Sequence, residues 1–237
     1  MRPDIVVRYA DHPDGIIDLH LPESGSGPLV VILHGGFWRS EWDRRHTRPQ
    51  ADALRREGYV VATPEYRRTG AGGGWPWTFD DVGHAVGDLP VLLDDLGIPV
   101  TTTTLLGHSA GGHLALWLAS EGLPLDRVVA LAPVGDLRDA YRRNLDGGAV
   151  RDLVGGEPFD AADPAVRLRH DPGVPVVVLH GTEDVQVPVE NTLGWATENP
   201  HVDLRIVEGA EHFGFIEPSS RVWRWVLGAL QTGVTDP

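Results

Sequence analysis

Leu105-Leu106-Gly107-His108-Ser109-Ala110-Gly111-Gly112-His113 is the stretch whose reading decides the fold. It carries Gly-x-Ser-x-Gly at Gly107, Ser109 and Gly111. Before it runs the threonine-rich, β-prone segment from Val100 to Leu106; after it comes the apolar helix former Leu114-Ala115-Leu116-Trp117-Leu118-Ala119. Strand, sharp turn and helix form the context in which this motif exposes a serine hydroxyl. The flanking glycines allow the turn, because a Cβ there would collide with the neighbouring strand or helix. Ser109 is the candidate nucleophile.

Working outward, strands alternate with helices along most of the chain. Ile5 to Tyr9 and Ile16 to Leu21 read as short strands around Asp14-Gly15. Leu29 to Leu33 is a continuous apolar run, expected of a strand buried on both faces; Arg127 to Leu131 reads as another buried strand and Val174 to Leu179 as a strand. Tyr59 to Ala62 and Val202 to Val207 complete the set. Helices are predicted over Arg44 to Glu57, Asp80 to Leu96, Val189 to Thr197 and Ser219 to Leu230. Val134 to Asp171 reads as two or three short helices, a small cap at most. The pattern gives one α/β domain over residues 1–237, with a mostly parallel sheet flanked by helices on both faces. In such sheets the site lies at the carboxyl ends of the strands. His34, Ser109, Asp184 and His212 each follow a strand.

A serine hydroxyl needs a base, and the base needs an acid to fix its tautomer. Imidazole, with an ordinary pKa of about 6.5, suits the first role, and it predicts an acid limb at about pH 6–7. Of the 11 histidines, His212 alone sits in a post-strand loop before the last helix. His201 precedes a strand, and His180 reads as a packing or hydrogen-bonding group. For the acid, Glu183 and Asp184 are adjacent, and spacing does not separate them. His34-Gly35-Gly36-Phe37-Trp38 follows the early apolar strand and reads as an oxyanion loop. Its donors are the N–H groups of Gly36 and Phe37, together with that of Ala110 after the nucleophile. His34 reads as a brace for this loop.

Trp38, Trp42, Trp75 and Trp77 fall in loops, where they either wall an apolar pocket or seal the loops onto the domain. Trp38, Trp75 and Trp77, with His108 of the elbow, are the candidate substrate-binding residues. Metal and dinucleotide sites fail on spacing. His108 and His113 are not at helical i, i+4 positions, and the glycines from Gly70 to Gly74 lead into Pro76. No metal or cofactor is expected. The net charge of −14 argues against nucleic acid and anionic membrane partners. There is no cysteine, so disulfide and thiolate chemistry are excluded. A soluble cytoplasmic protein acting on a small ester or amide, and possible as a homodimer, is the expectation.

These residues resemble the α/β-hydrolase superfamily over nearly the whole chain. The resemblance is closest to small serine hydrolases that include kynurenine formamidases (arylformamidases) and bacterial carboxylesterases. His180-Gly181-Thr182-Glu183-Asp184-Val185-Gln186-Val187-Pro188 is similar to the family's His-Gly-x-x-Asp-x-x-Val-Pro, which places the acid on Asp184. The resemblance implies the order Ser109, Asp184, His212 and hydrolysis of a carboxylic ester or aryl formamide through an acyl-enzyme. Competing readings on the same scaffold are a peptidase, an acyltransferase and a non-catalytic ligand-binding protein.

Overall fold

Alternation along the central strands divides the core in two. In β3, Leu29, Val31 and Leu33 face one side of the sheet, and Val30 and Ile32 face the other. Val128 and Ala130 against Val129 and Leu131, and Val176 and Val178 against Val177 and Leu179, repeat the division in β6 and β7. A period-two backbone with both faces covered produces this pattern. Each buried Leu or Val contributes about 1.5–3 kcal/mol.

The structure is a computed structural model, and it describes residues 2–231. The strands are β1 (Ile5–Arg8), β2 (Ile16–His20), β3 (Gly27–Leu33), β4 (Val60–Pro64), β5 (Val100–His108), β6 (Arg127–Leu131), β7 (Val176–Gly181) and β8 (Val202–Val207). They form one sheet in the order β1-β2-β4-β3-β5-β6-β7-β8. β1 pairs with β2, and β2 with β4, antiparallel; every other pairing is parallel. The helices are α1 (Arg48–Arg56), α2 (Trp77–Gly87), α3 (Leu89–Asp95), α4 (Ala110–Ala119), α5 (Leu137–Arg142), α6 (Ala149–Val154), α7 (Pro164–Arg167), α8 (Glu190–Ala196) and α9 (Trp223–Leu230). α1 and α9 cover one face; α2 to α6 and α8 cover the other.

The expected fold is observed, with differences at element ends. The helix expected from Arg44 is a 3₁₀ turn, Arg44–Thr47, that runs into α1 at Arg48. Pro49 lacks an N–H, so the helical ladder restarts there. The helix expected over 80–96 is two helices, with Pro90 opening the second. The helix expected from Ser219 begins at Trp223. The segment 134–171 holds α5, α6, α7 and two 3₁₀ turns. Its Leu137, Val150, Leu153 and Leu168 join the larger core cluster. It is packed as part of the core.

α4 is buried along all ten residues, so its sequence is apolar on every side. The close approach of α4 to β3 depends on Gly111. A Cβ built there lies 2.1 Å from the Leu33 carbonyl oxygen and 2.5 Å from that of His34. Both obstacles are backbone, so Gly111→Ala forces the helix off the sheet. We expect a loss of about 3 kcal/mol or more in urea unfolding. A loss below about 1 kcal/mol would show that the helix yields easily and that the contact is not constraining.

Candidate active site

Ser109 links β5 to α4 with φ 55° and ψ −117°. A non-glycine residue held there costs about 1–3 kcal/mol. Its backbone is pinned on both sides. The Ser109 N–H donates to the Leu131 carbonyl at 2.9 Å, and its own carbonyl accepts from the His113 and Val134 N–H groups at 3.0 and 3.3 Å. The nucleophile turn is thus anchored to the end of β6 and to the first turn of α4.

Asp184 follows β7, and His212 follows β8. The His212 Nδ1–H donates to Asp184 Oδ2 at 2.7 Å, which leaves Nε2 as the ring's lone-pair nitrogen. Asp184 Oδ1 accepts the N–H groups of Gln186 and Val187 at 2.9 and 2.8 Å. His180 Nε2 lies 3.3 Å from Asp184 Oδ2. Burial alone would raise the Asp184 carboxyl. The hydrogen bonds from His180 and His212, then the Val187 N–H, outweigh it and hold the group well below the usual carboxylate range. Glu183, its neighbour, is exposed. Between the two carboxylates that spacing left open, the structure joins Asp184 to His212.

His108 donates from Nε2 to the His212 carbonyl at 3.0 Å, and its ring lies 4.5 Å from the His212 ring. Burial, then the neighbouring His212, push its pKa well below the ordinary imidazole value, so it stays neutral.

Ser109, His108 and His212 line one cavity of about 340 Å³, together with Gly36 and Phe37. Ala110 opens α4, so its N–H belongs to the first helical turn, which has no intrahelical acceptor. Gly36, Phe37 and Trp38 all have positive φ, at 109°, 48° and 58°. At Gly36 a Cβ would lie 2.4 Å from the Trp42 ring, so only glycine fits.

The loop is braced from below. His34 Nε2 meets Glu65 Oε1 at 2.8 Å, and Nδ1 meets the Gly35 carbonyl at 2.8 Å. Its ring stacks on Tyr66 at 4.2 Å, and the Tyr66 hydroxyl donates to the His34 carbonyl at 2.8 Å. Glu65 also accepts the Arg44 N–H at 2.9 Å and pairs with Arg68 at 2.8 Å. Burial would raise the Glu65 carboxyl; His34, Arg44 and Arg68 together hold it low. The brace expected of His34 is present.

The chain matches the BD-FAE family model over residues 17–141 and the prolyl oligopeptidase family model over residues 100–231. The chain belongs to the α/β-hydrolase family. A probable carboxylic ester hydrolase, LipM of Mycobacterium tuberculosis, is 25% identical over 213 residues, which cover 79% of this chain and 48% of that protein. Epoxide hydrolase 2 of Siraitia grosvenorii is 39% identical over 118 residues, which cover 48% of this chain and 34% of that protein. The chain therefore spans between a third and a half of the length of these relatives. Among solved structures, esterase B from Lactobacillus rhamnosis superposes with a TM-score of 0.78 at 20% identity, covering 98% of this chain and 86% of that one. That likeness shows the fold.

In this α/β-hydrolase the two roles the sequence left open for the loop tryptophans are divided among them, and the three that are candidates for substrate binding are off the cavity. Trp38, expected on the pocket wall, is fully buried with its ring set edgewise against His113 at 5.0 Å. Two successive positive φ values turn it into the core. Trp75 packs against Phe79 and Phe159 at 4.8 and 5.1 Å. Trp77 is 52% exposed under the Arg67 guanidinium. None of the three lines the cavity, whereas Trp42 does. Its neighbours there include His46, Asp146, Gln186, Phe213 and Ile216. Asp146 comes from the segment that sequence periodicity reads least well. The only signal for it is the Asn144-Leu145-Asp146-Gly147-Gly148 composition, which favours a left-handed turn. Among the described residues no group of three or more His, Cys, Asp or Glu is placed to hold a metal ion. No described helix is long and apolar enough to cross a membrane.

Proposed function

We propose that the chain hydrolyses carboxylic esters through an acyl-enzyme on Ser109. The observation that carries the reading is the His212–Asp184 bond at 2.7 Å, with Ser109 and His212 on one cavity. In this reading Ser109 Oγ attacks the carbonyl carbon while His212 Nε2 takes its proton. Asp184 orients the ring and stabilises the imidazolium. The N–H groups of Gly36, Phe37 and Ala110 receive the developing oxyanion. His212 then protonates the leaving alcohol and activates the water that releases the acid. The family and the ester-cleaving description of LipM support an ester substrate.

Phe37, Trp42 and Phe213 on the cavity favour an aryl formamide as the second reading. One experiment separates them. With p-nitrophenyl acetate, rapid mixing is expected to give a p-nitrophenol burst matching the enzyme concentration and an acetyl group on the peptide containing Ser109. Turnover with no label on that peptide sinks the acyl-enzyme. A kcat/KM for N-formylkynurenine above that for the ester would favour the formamidase.

A further inference from the structure

We propose that the cavity selects esters carrying an ammonium group, with Asp146 and the rings of Trp42 and Phe213 receiving the cation; this rests on the ester-hydrolase reading. Asp146 is the one acidic side chain among the described residues on the cavity, and no arginine lines it. The histidines there do not offset it. Burial holds His46 and His108 below the ordinary imidazole range, and His212 is engaged with Asp184.

The guanidinium that meets Asp146 has all three nitrogens engaged, by Asp146 and Asp152. Arg39 donates from Nε to the Asp146 carboxylate, from a second nitrogen to the Asp146 carbonyl at 2.7 Å, and from the third to Asp152 at 3.0 Å. One guanidinium is thus shared between two carboxylates, Asp146 and Asp152. Arg39 itself is off the cavity lining. Among the described residues on the cavity, a substrate carboxylate meets Asp146 and no arginine.

Two further features complete the receptor. Trp42 and Phe213 are 48% and 53% exposed on the cavity rim, and the negative face of an exposed aromatic ring attracts ammonium. His46, also on the cavity, is held in place by a hydrogen bond from its Nδ1 to the Asp43 carbonyl at 2.7 Å. The chain's net charge of −14 adds long-range attraction for a cation.

The test compares acetylcholine with 3,3-dimethylbutyl acetate, the same shape with carbon in place of the charged nitrogen. The ratio of the two kcat/KM values is the readout, so a general loss of activity cancels. Wild type is expected to favour acetylcholine about tenfold. Asp146→Asn is expected to cut the ratio at least threefold, by about the weight of one charge. Asp203→Asn removes an exposed carboxylate that is off the cavity and pairs with Arg205 rather than Arg39, and it should leave the ratio in place. A wild-type ratio at or below one overturns the proposal, as does a ratio unmoved by Asp146→Asn. So does failure to cleave acetylcholine by a protein that cleaves p-nitrophenyl acetate. Cleavage of both acetates by Ser109→Ala would instead overturn the acyl-enzyme reading.

Discussion

Glycine at position 109 is expected to give an inactive protein that is more stable than the alanine variant by about 1 kcal/mol. Ser109 sits at φ 55°, ψ −117°, a region that glycine alone enters freely. The surroundings hold it there through the Leu131 carbonyl and the His113 and Val134 N–H groups. Alanine keeps the backbone strain and removes only the hydroxyl. Glycine releases about 1–3 kcal/mol of strain and gives back about 0.5–1 kcal/mol in unfolded-chain entropy. Both variants lose the nucleophile, so turnover of p-nitrophenyl acetate should fall about 10⁴-fold or more in each. Urea titrations at matched m-value, alongside the assay, read both effects. A glycine variant no more stable than alanine would place the strain elsewhere. Retention of about a tenth of the activity in either variant would end the nucleophile assignment.

That strain is also why the elbow was legible. A sharp strand-to-helix turn needs small residues at fixed offsets, so it leaves a mark in the sequence. The strand ends are legible for a related reason: buried parallel strands are short apolar runs, and side chains just beyond them are carried to one edge of the sheet. Ser109, Asp184 and His212 are therefore assigned to one edge of the sheet by the sequence itself. Side-chain direction inside irregular loops has no such signature. Trp38 and Trp42 lie four positions apart in one loop, yet one is buried and the other forms the cavity rim. The difference comes from successive positive φ values at Gly36, Phe37 and Trp38, of which only the glycine announces itself. Asp146 was missed for the same reason: it sits in a turn at φ 47°, where no period links it to the site. The helix breaks at Pro49 and Pro90 were, by contrast, readable from proline's missing N–H and were overrun by the apolar pattern around them.

Acid is expected to weaken the fold through a histidine that takes no part in the proposed chemistry. His113 lies on α4, four residues beyond Ser109, and is fully buried. Its Nε2–H donates to the Ala162 carbonyl at 3.0 Å, tying α4 to the segment that carries α7. Its Nδ1 is buried and has no hydrogen-bond partner. The ring meets Trp38 at 5.0 Å and Phe79 at 5.6 Å, both edgewise. Protonation would place a charge and an unpaired N–H in this apolar setting. Burial, against a smaller opposing effect of the Ala162 bond, pushes the pKa from 6.5 down to about 4. Above about pH 6.5 neither folded nor unfolded chain protonates this ring. Between that value and about 4 the unfolded chain takes the proton and the folded chain does not. The unfolded state then binds more protons, and stability falls as pH falls. The loss from this residue amounts to about 3 kcal/mol by pH 4, at 1.36 kcal/mol per pH unit. His108, buried and lowered in the same direction, adds to the slope. His113→Gln keeps a donor for Ala162 and does not titrate. Its unfolding free energy in urea should therefore decline by about 3 kcal/mol less than that of wild type between pH 7.5 and 4. Parallel declines in the two proteins would mean that His113 accepts its proton without unfolding, and that the acid sensitivity of the fold lies with other groups.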